Sequence, residues 1–139
     1  MNRKHLFLIV TIAFCITILF SCKKDPGEGG TSSLFGKVYA KDYNSTFTVL
    51  QGEYYVPDKW VFIVYGDEKD YGNRIRTNYD GTYEFKYLRP GTYHIYVYSK
   101  DSTLQTNASV AVLKDVTISS QNTETRVPDL NIFTVNGKN

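Results

Sequence analysis

Histidine and cysteine are scarce, with two of each in 139 residues. His5 and Cys15 both fall within the first 21 residues, in and beside an apolar run from Leu6 to Phe20 that follows Arg3 and Lys4. A basic start, an apolar stretch too short to cross a bilayer comfortably and the small residue Ser21 are the parts of an export signal, which is cut away. The remaining chain keeps one imidazole, His94, and one thiol, Cys22. An intramolecular disulfide and a four-cysteine zinc site are then excluded. His94 stands alone in an alternating segment, and no Gly-x-Ser-x-Gly elbow accompanies it, so an enzyme is not expected.

Excess charge is missing too. The full chain carries 16 basic and 14 acidic residues, and without Arg3 and Lys4 the two balance at 14 each. A neutral domain offers no electrostatic footprint for nucleic acid. The acidic stretch Asp67, Glu68 and Asp70 has Lys69 in its midst and no EF-hand spacing. It reads as a solvated turn, and neither a metal nor another cofactor is expected.

Apolar stripes of helical period are absent after Ser33, which excludes a helix bundle. In their place are Tyr, Val, Thr, Ile and Phe in short alternating runs separated by turn residues, the pattern of an all-β domain. The predicted strands are Leu34 to Lys41, Trp60 to Tyr65, Asn73 to Tyr79, Tyr83 to Tyr87, Thr92 to Ser99, Ser109 to Leu113, Asp115 to Ser119 and Arg126 to Thr134. Seven or eight short strands predict a single antiparallel β-sandwich. Alternation directs Val38, Val61, Ile63, Ile75, Tyr83, Phe85, Tyr93, Ile95, Val97, Val110, Val112, Val116, Ile118, Leu130 and Ile132 inward. Asp80-Gly81 predicts a hairpin turn, and Pro90-Gly91 fits the centre of a type II turn.

The stretch from Lys23 to Ser33 has no large apolar side chain and reads as a flexible leash. At about 3.3 to 3.6 Å per residue, it could reach at most roughly 40 Å. The expected organisation is therefore a leader at 1–21, a cysteine and linker at 22–33, and one β-sandwich domain at 34–139.

Two resemblances sharpen this outline. Leu19, Ser21 and Cys22 resemble the bacterial lipobox, with Phe20 as a departure. That resemblance implies cleavage before Cys22, a diacylglyceryl group on its sulfur and an acylated amino group, with palmitate-like chains holding the protein to a membrane. Each buried methylene contributes about 0.8 kcal/mol, so several chains anchor durably where one is marginal. Lys23 after the cysteine resembles lipoproteins sent to the outer membrane. The second resemblance lies in the run from Thr77 to Tyr93, with Gly36-Lys37-Val38 and Val61-Phe62-Ile63 before it. It is similar to carboxypeptidase regulatory-like domains, which share a transthyretin-like or Cna-B-like β-sandwich. Transthyretin-like hydrolases use more than one histidine, and this chain does not supply them. Cna-B-like domains can carry a Lys–Asn isopeptide cross-link. Lys37, Glu84 and Asn131 are of the required types, but each alternates out of phase with its inward neighbours. Asp101-Ser102-Thr103 resembles a short O-glycosylation sequence of exported bacterial proteins.

The connection from Asp42 to Lys59 is longer than that pattern and contains Tyr43, Phe47, Val49, Leu50, Tyr54, Tyr55 and Val56. The next run, Trp60-Val61-Phe62-Ile63-Val64-Tyr65, is apolar on both faces, so something should cover its second side. Either the insertion folds over Trp60, Phe62 and Val64, or Trp60 and Phe62, with Tyr96 and Tyr98 beside them, form an exposed face for a glycan or an envelope protein. The expected role is a membrane-anchored, non-catalytic binding or accessory module. The alternative is a structural spacer or subunit of a cell-surface assembly.

Overall fold

One long strand organises the molecule. The computed structural model describes residues 24–103 and 109–137, and the leader and Cys22 lie outside the described residues. Strand β1, Glu28–Tyr43, is 16 residues long and buries Leu34, Gly36, Val38 and Ala40 on one face, two residues apart as the pleat requires. Eight further strands follow: β2 Leu50–Tyr55, β3 Trp60–Tyr65, β4 Asn73–Arg76, β5 Thr82–Leu88, β6 Gly91–Lys100, β7 Ser109–Ile118, β8 Glu124–Arg126 and β9 Leu130–Val135.

The protein is an all-β sandwich of two sheets. Because β1 is so long, each of its sides serves two partners in turn. Its first half pairs with β5 and its second with β2, and the hand-over falls at Val38. There the Val38 N–H donates to Gly81 O at 3.0 Å and the Val38 carbonyl accepts from Val56 N–H at 2.9 Å. Strands β8 and β9 also pair with β1, and both run parallel to it. The second sheet has the order β4-β3-β6-β7 and is antiparallel throughout. Between the sheets lie the fully buried Leu34, Val38, Val61, Ile63, Tyr83, Tyr93, Ile95, Val97, Leu130 and Ile132.

Several expectations are corrected. The mainly antiparallel sandwich is as expected, but β8 and β9 pair parallel to β1, because the chain leaves β7 in one sheet and returns along β1 in the other. The segments on either side of Lys114 form one strand, whereas Arg126 to Thr134 divides into β8 and β9 around Pro128. Val110 is not inward but 43 % exposed, on an edge strand whose Val112 and Val116 are only partly buried. Asp80-Gly81 forms a tight turn, with Asn78 N–H donating to Thr82 O at 2.8 Å, but not the expected hairpin, because β4 and β5 on either side of it belong to different sheets; Gly81 has φ 78°, and an added Cβ would lie 2.7 Å from Tyr55 Cβ. Gly91, at φ 153°, is far from the roughly +80° of a type II turn.

The largest correction concerns the leash. Glu28 to Ser33 belongs to β1, with Glu28 and Ser32 both opposite Leu88 across a bulge. Gly27 N–H donates to Tyr93 Oη at 3.0 Å, and the same hydroxyl donates to Arg89 O at 2.6 Å. Arg89 N–H in turn donates to Gly27 O at 2.9 Å. A tyrosine bonded to the backbone four residues upstream is a tyrosine corner, and here it also clasps the incoming chain. Polar groups hold the rest: Ser33 N–H donates to Thr123 O at 2.9 Å and Ser32 Oγ to Ser120 O at 3.1 Å.

Candidate functional site

The insertion does not cover the second side of β3. Its strand β2 adds to the other sheet through β1, and most of its apolar residues have partners there, whereas Val49 and Leu50 stay exposed. Val56 is in the core, and Tyr54 packs against the core with its hydroxyl 3.4 Å from Thr134 Oγ1. Tyr55 stands edge-on to Tyr39 at 5.2 Å, and Phe47 stacks with Tyr43 at 5.5 Å. The outer face of the β4-β3-β6-β7 sheet is thus left to its own side chains.

Register places those side chains in rows. Arg74, Phe62, Tyr96 and Leu113 lie opposite one another across four strands. The next row contains Arg76 opposite Trp60, and Tyr98 opposite Ala111. Phe62 forms the floor, only 8 % exposed, stacked on Tyr96 at 4.9 Å with an interplanar angle of 10°. Tyr71 and Tyr98 meet Phe62 edge-on at 5.2 and 5.7 Å, and remain 47 % and 44 % exposed themselves. Offset and edge-on ring contacts of this kind each contribute about 0.5 to 1.5 kcal/mol beyond the area they bury. The result is a fixed array of rings whose upper edges stay in solvent. Burial and the neighbouring Tyr98 raise the Tyr96 pKa, so its hydroxyl stays protonated and able to donate.

Trp60 is half-buried at the end of this array. Arg74 Cζ lies 4.4 Å and Arg76 Cζ 4.5 Å from its ring centroid, both within cation–π range. Arg76 also forms an ion pair with Asp58. Asp58, Lys59, Trp60, Phe62, Arg76 and Tyr98 line a depression of about 270 Å³. Ligand pockets run from about 300 Å³ upward, so this one would seat a ring without enclosing a whole ligand. A larger open trough of about 530 Å³ lies at the other end of β3, beside Pro26, Tyr65 and His94. It is rimmed by Asp25, Asp67 and Glu68 and has Tyr65 as its one large aromatic side chain, a poorer surface for directional binding than the ring array.

All four sequence-predicted face residues, Trp60, Phe62, Tyr96 and Tyr98, come together. Tyr71, Arg74, Arg76 and Lys59 were not foreseen in this setting. Tyr71 arrives through a loop whose composition shows only polarity, whereas the alternation of Arg74 and Arg76 on a strand was the available signal. The other singled-out residues go elsewhere. His94 Nδ1 lies 2.5 Å from Asp115 Oδ1, a cross-strand pair between β6 and β7. Lys37 Nζ sits 3.3 Å from Asp80, and Glu84 pairs with Lys86, so the Lys37, Glu84 and Asn131 set does not converge. Asp101 accepts from Thr103 N–H at 2.8 Å and from its hydroxyl at 2.6 Å, which leaves Ser102 exposed at the turn. Among the described residues no three His, Cys, Asp or Glu side chains group as a metal site.

No family model and no curated protein matches the chain. Among solved structures, the chain is similar to a Pseudomonas aeruginosa protein described as a candidate carbohydrate binding protein. The two share 12 % identity and a TM-score of 0.47, over 78 % of this chain and 91 % of the other.

Proposed function

We propose that this chain is a non-catalytic envelope lipoprotein, anchored through acylated Cys22, whose outer β4-β3-β6-β7 face binds a saccharide. The observation that carries the reading is the ring array of Phe62, Tyr71, Tyr96 and Tyr98 with Trp60 at its end, on a sheet face that no other strand among the described residues covers. Sugar rings have apolar C–H faces that stack on aromatic rings, while tyrosine hydroxyls at the ring edges bond to sugar hydroxyls. A carboxypeptidase regulatory-like ancestry is part of this reading, supported by the tight Asp80-Gly81 turn between Thr77 and Tyr93.

The position of the incoming chain favours such a role. Pro26 packs against Gly66 and Gly91 at the Tyr65 end of β3. Trp60 lies five residues away along the strand, about 17 Å at roughly 3.3 Å per residue. Only Lys23 and Lys24 separate Cys22 from Asp25, whose carbonyl accepts from Arg89 at 3.4 Å. A tether of about 10 Å would keep the Pro26 end beside the membrane and turn the Trp60 end away from it.

Two measurements test this reading. Intact mass of the protein purified from its membrane should show a chain that begins at Cys22 and carries acyl groups; an unmodified Cys22 removes the anchor. A glycan array probed with the fragment from Lys24 onward should give binders that shift the emission of Trp60, the sole tryptophan. Trp60→Ala should weaken those binders at least about tenfold, or 1.4 kcal/mol. Unchanged affinity in that variant would remove the ring array as the site.

A further inference from the structure

We propose, resting on the saccharide reading above, that the ligand is an acidic saccharide whose carboxylate or sulfate groups are held by Arg74, Lys59 and Lys100 beside the Trp60 ring. Four cations, Lys59, Arg74, Arg76 and Lys100, surround the Trp60–Tyr98 end of the sheet. Two carboxylates are near them. Asp58 is committed to Arg76, and Asp101 follows Lys100 and accepts from both donor groups of Thr103. Arg74 has a ring contact with Trp60 and no acidic partner among the described residues. On the other side of the array the charge of Asp70 acts on Tyr96.

Lys59 is a further cation at this end of the sheet. It lines the depression between Trp60 and Tyr98, and no carboxylate pairs with it among the described residues. Burial, and then the like charge of Lys100, hold its pKa below the ordinary lysine value. Like charges gathered around an apolar depression lose repulsion when an anion enters. A neutral sugar would leave that repulsion in place. An arginine laid against an indole keeps its planar fork of donors available for the two oxygens of a carboxylate or sulfate. A ring-stacked sugar bearing an acid group satisfies both halves of the site.

The charge also changes sign along the sheet. Asp25, Asp67 and Glu68 rim the Pro26 end, and the cations stand at the Trp60 end. An anionic chain would therefore be drawn to one end of the face and repelled from the other, an effect within the reach of a Debye length of about 8 Å.

The test is a titration, by Trp60 fluorescence and calorimetry, of hexagalacturonate and a heparin hexasaccharide against maltohexaose and chitohexaose, with hexaglutamate as an anionic peptide. We expect an acidic hexasaccharide to bind at least tenfold more tightly than either neutral one, with affinity falling as salt rises. Arg74→Gln and Lys100→Gln should each lower that ratio severalfold, Arg74→Glu should abolish it, and thermal unfolding should confirm that the variants fold. Neutral hexasaccharides that bind as tightly, or an Arg74→Gln ratio equal to the native one, overturn the acidic preference and leave the saccharide reading standing. Hexaglutamate binding as tightly as the acidic sugars, with no loss in Trp60→Ala, shows a plain anion site and overturns it too. No binding by any hexasaccharide overturns the saccharide reading together with this inference.

Discussion

A fragment that begins at Thr31 is expected to unfold about 10 to 20 °C below one that begins at Lys24. The shorter fragment loses the Gly27 N–H bond to Tyr93 Oη and the Arg89 N–H bond to Gly27 O. It also loses Pro26 from its place against Gly66 and Gly91 and the Glu28 pairing with Leu88. Each hydrogen bond contributes about 1 kcal/mol net, and a buried group left unpaired costs about 1 to 3 kcal/mol. A loss of about 2 to 3 kcal/mol shifts the midpoint by roughly this interval in a domain of about 100 residues. Gly30→Ala in the longer fragment should reproduce most of the loss, because its Cβ would lie 2.0 Å from the Leu88 carbonyl oxygen, which is backbone and cannot swing aside. Gly52→Ala is the control, since nothing lies within 4 Å of the added methyl. Differential scanning calorimetry decides the matter: equal midpoints for the two fragments would mean that residues 24–30 are the leash their composition suggests.

That segment shows where sequence pattern stops being informative. Hydrophobic periodicity reports strands that bury side chains, and it found β3 at both ends and β5 and β6 to within a residue or so. Glu28 to Ser33 joins the sheet through backbone groups and small hydroxyls, with Ser32 buried at 2 % exposure although it is polar. Gly and Ser are the residues of linkers, and equally of places where two backbones approach closely. Composition cannot separate those uses; the carbonyl of Leu88 beneath Gly30 does.

The insertion was half legible in the same sense. Tyr43, Phe47, Val49, Leu50, Tyr54, Tyr55 and Val56 are too many apolar residues for a solvated loop, and the prediction that the insertion is ordered follows from that count alone, although Val49 and Leu50 themselves stay exposed. Which sheet they would join depends on hydrogen bonding at a strand edge, to which side-chain hydrophobicity is blind. Thr134 illustrates the same point. It is fully buried and donates to Asp42 at 2.7 Å, and the Asp42 carboxylate also accepts from Gly137 N–H at 2.9 Å. This polar lock lets β1 and β9 run parallel to their ends, and nothing in the alternation of either strand announces it.

Ile63→Ala and Phe62→Ala, one residue apart on β3, are expected to separate stability from recognition. Ile63 is fully buried between the sheets, on a strand paired on both sides, so its truncation should cost about 3 to 4 kcal/mol through lost transfer energy and a residual cavity. Where the variant is still folded, at low temperature, its saccharide affinity should stay within about threefold of native, because the outer rings do not rest on it. Phe62 points the other way and supports Tyr96 at 4.9 Å, Tyr71 at 5.2 Å and Tyr98 at 5.7 Å. Phe62→Ala should also cost about 3 kcal/mol, but affinity should fall at least tenfold even when the protein is fully folded, since three rings lose the surface that fixes them. Chemical denaturation and Trp60 titration on the same samples give both numbers. Equal affinities in the two variants would sever the link between the ring array and binding. A Phe62→Ala variant that binds like native protein yet unfolds early would assign the array to stability alone, with the double-sided apolar strand serving the sandwich and not a ligand.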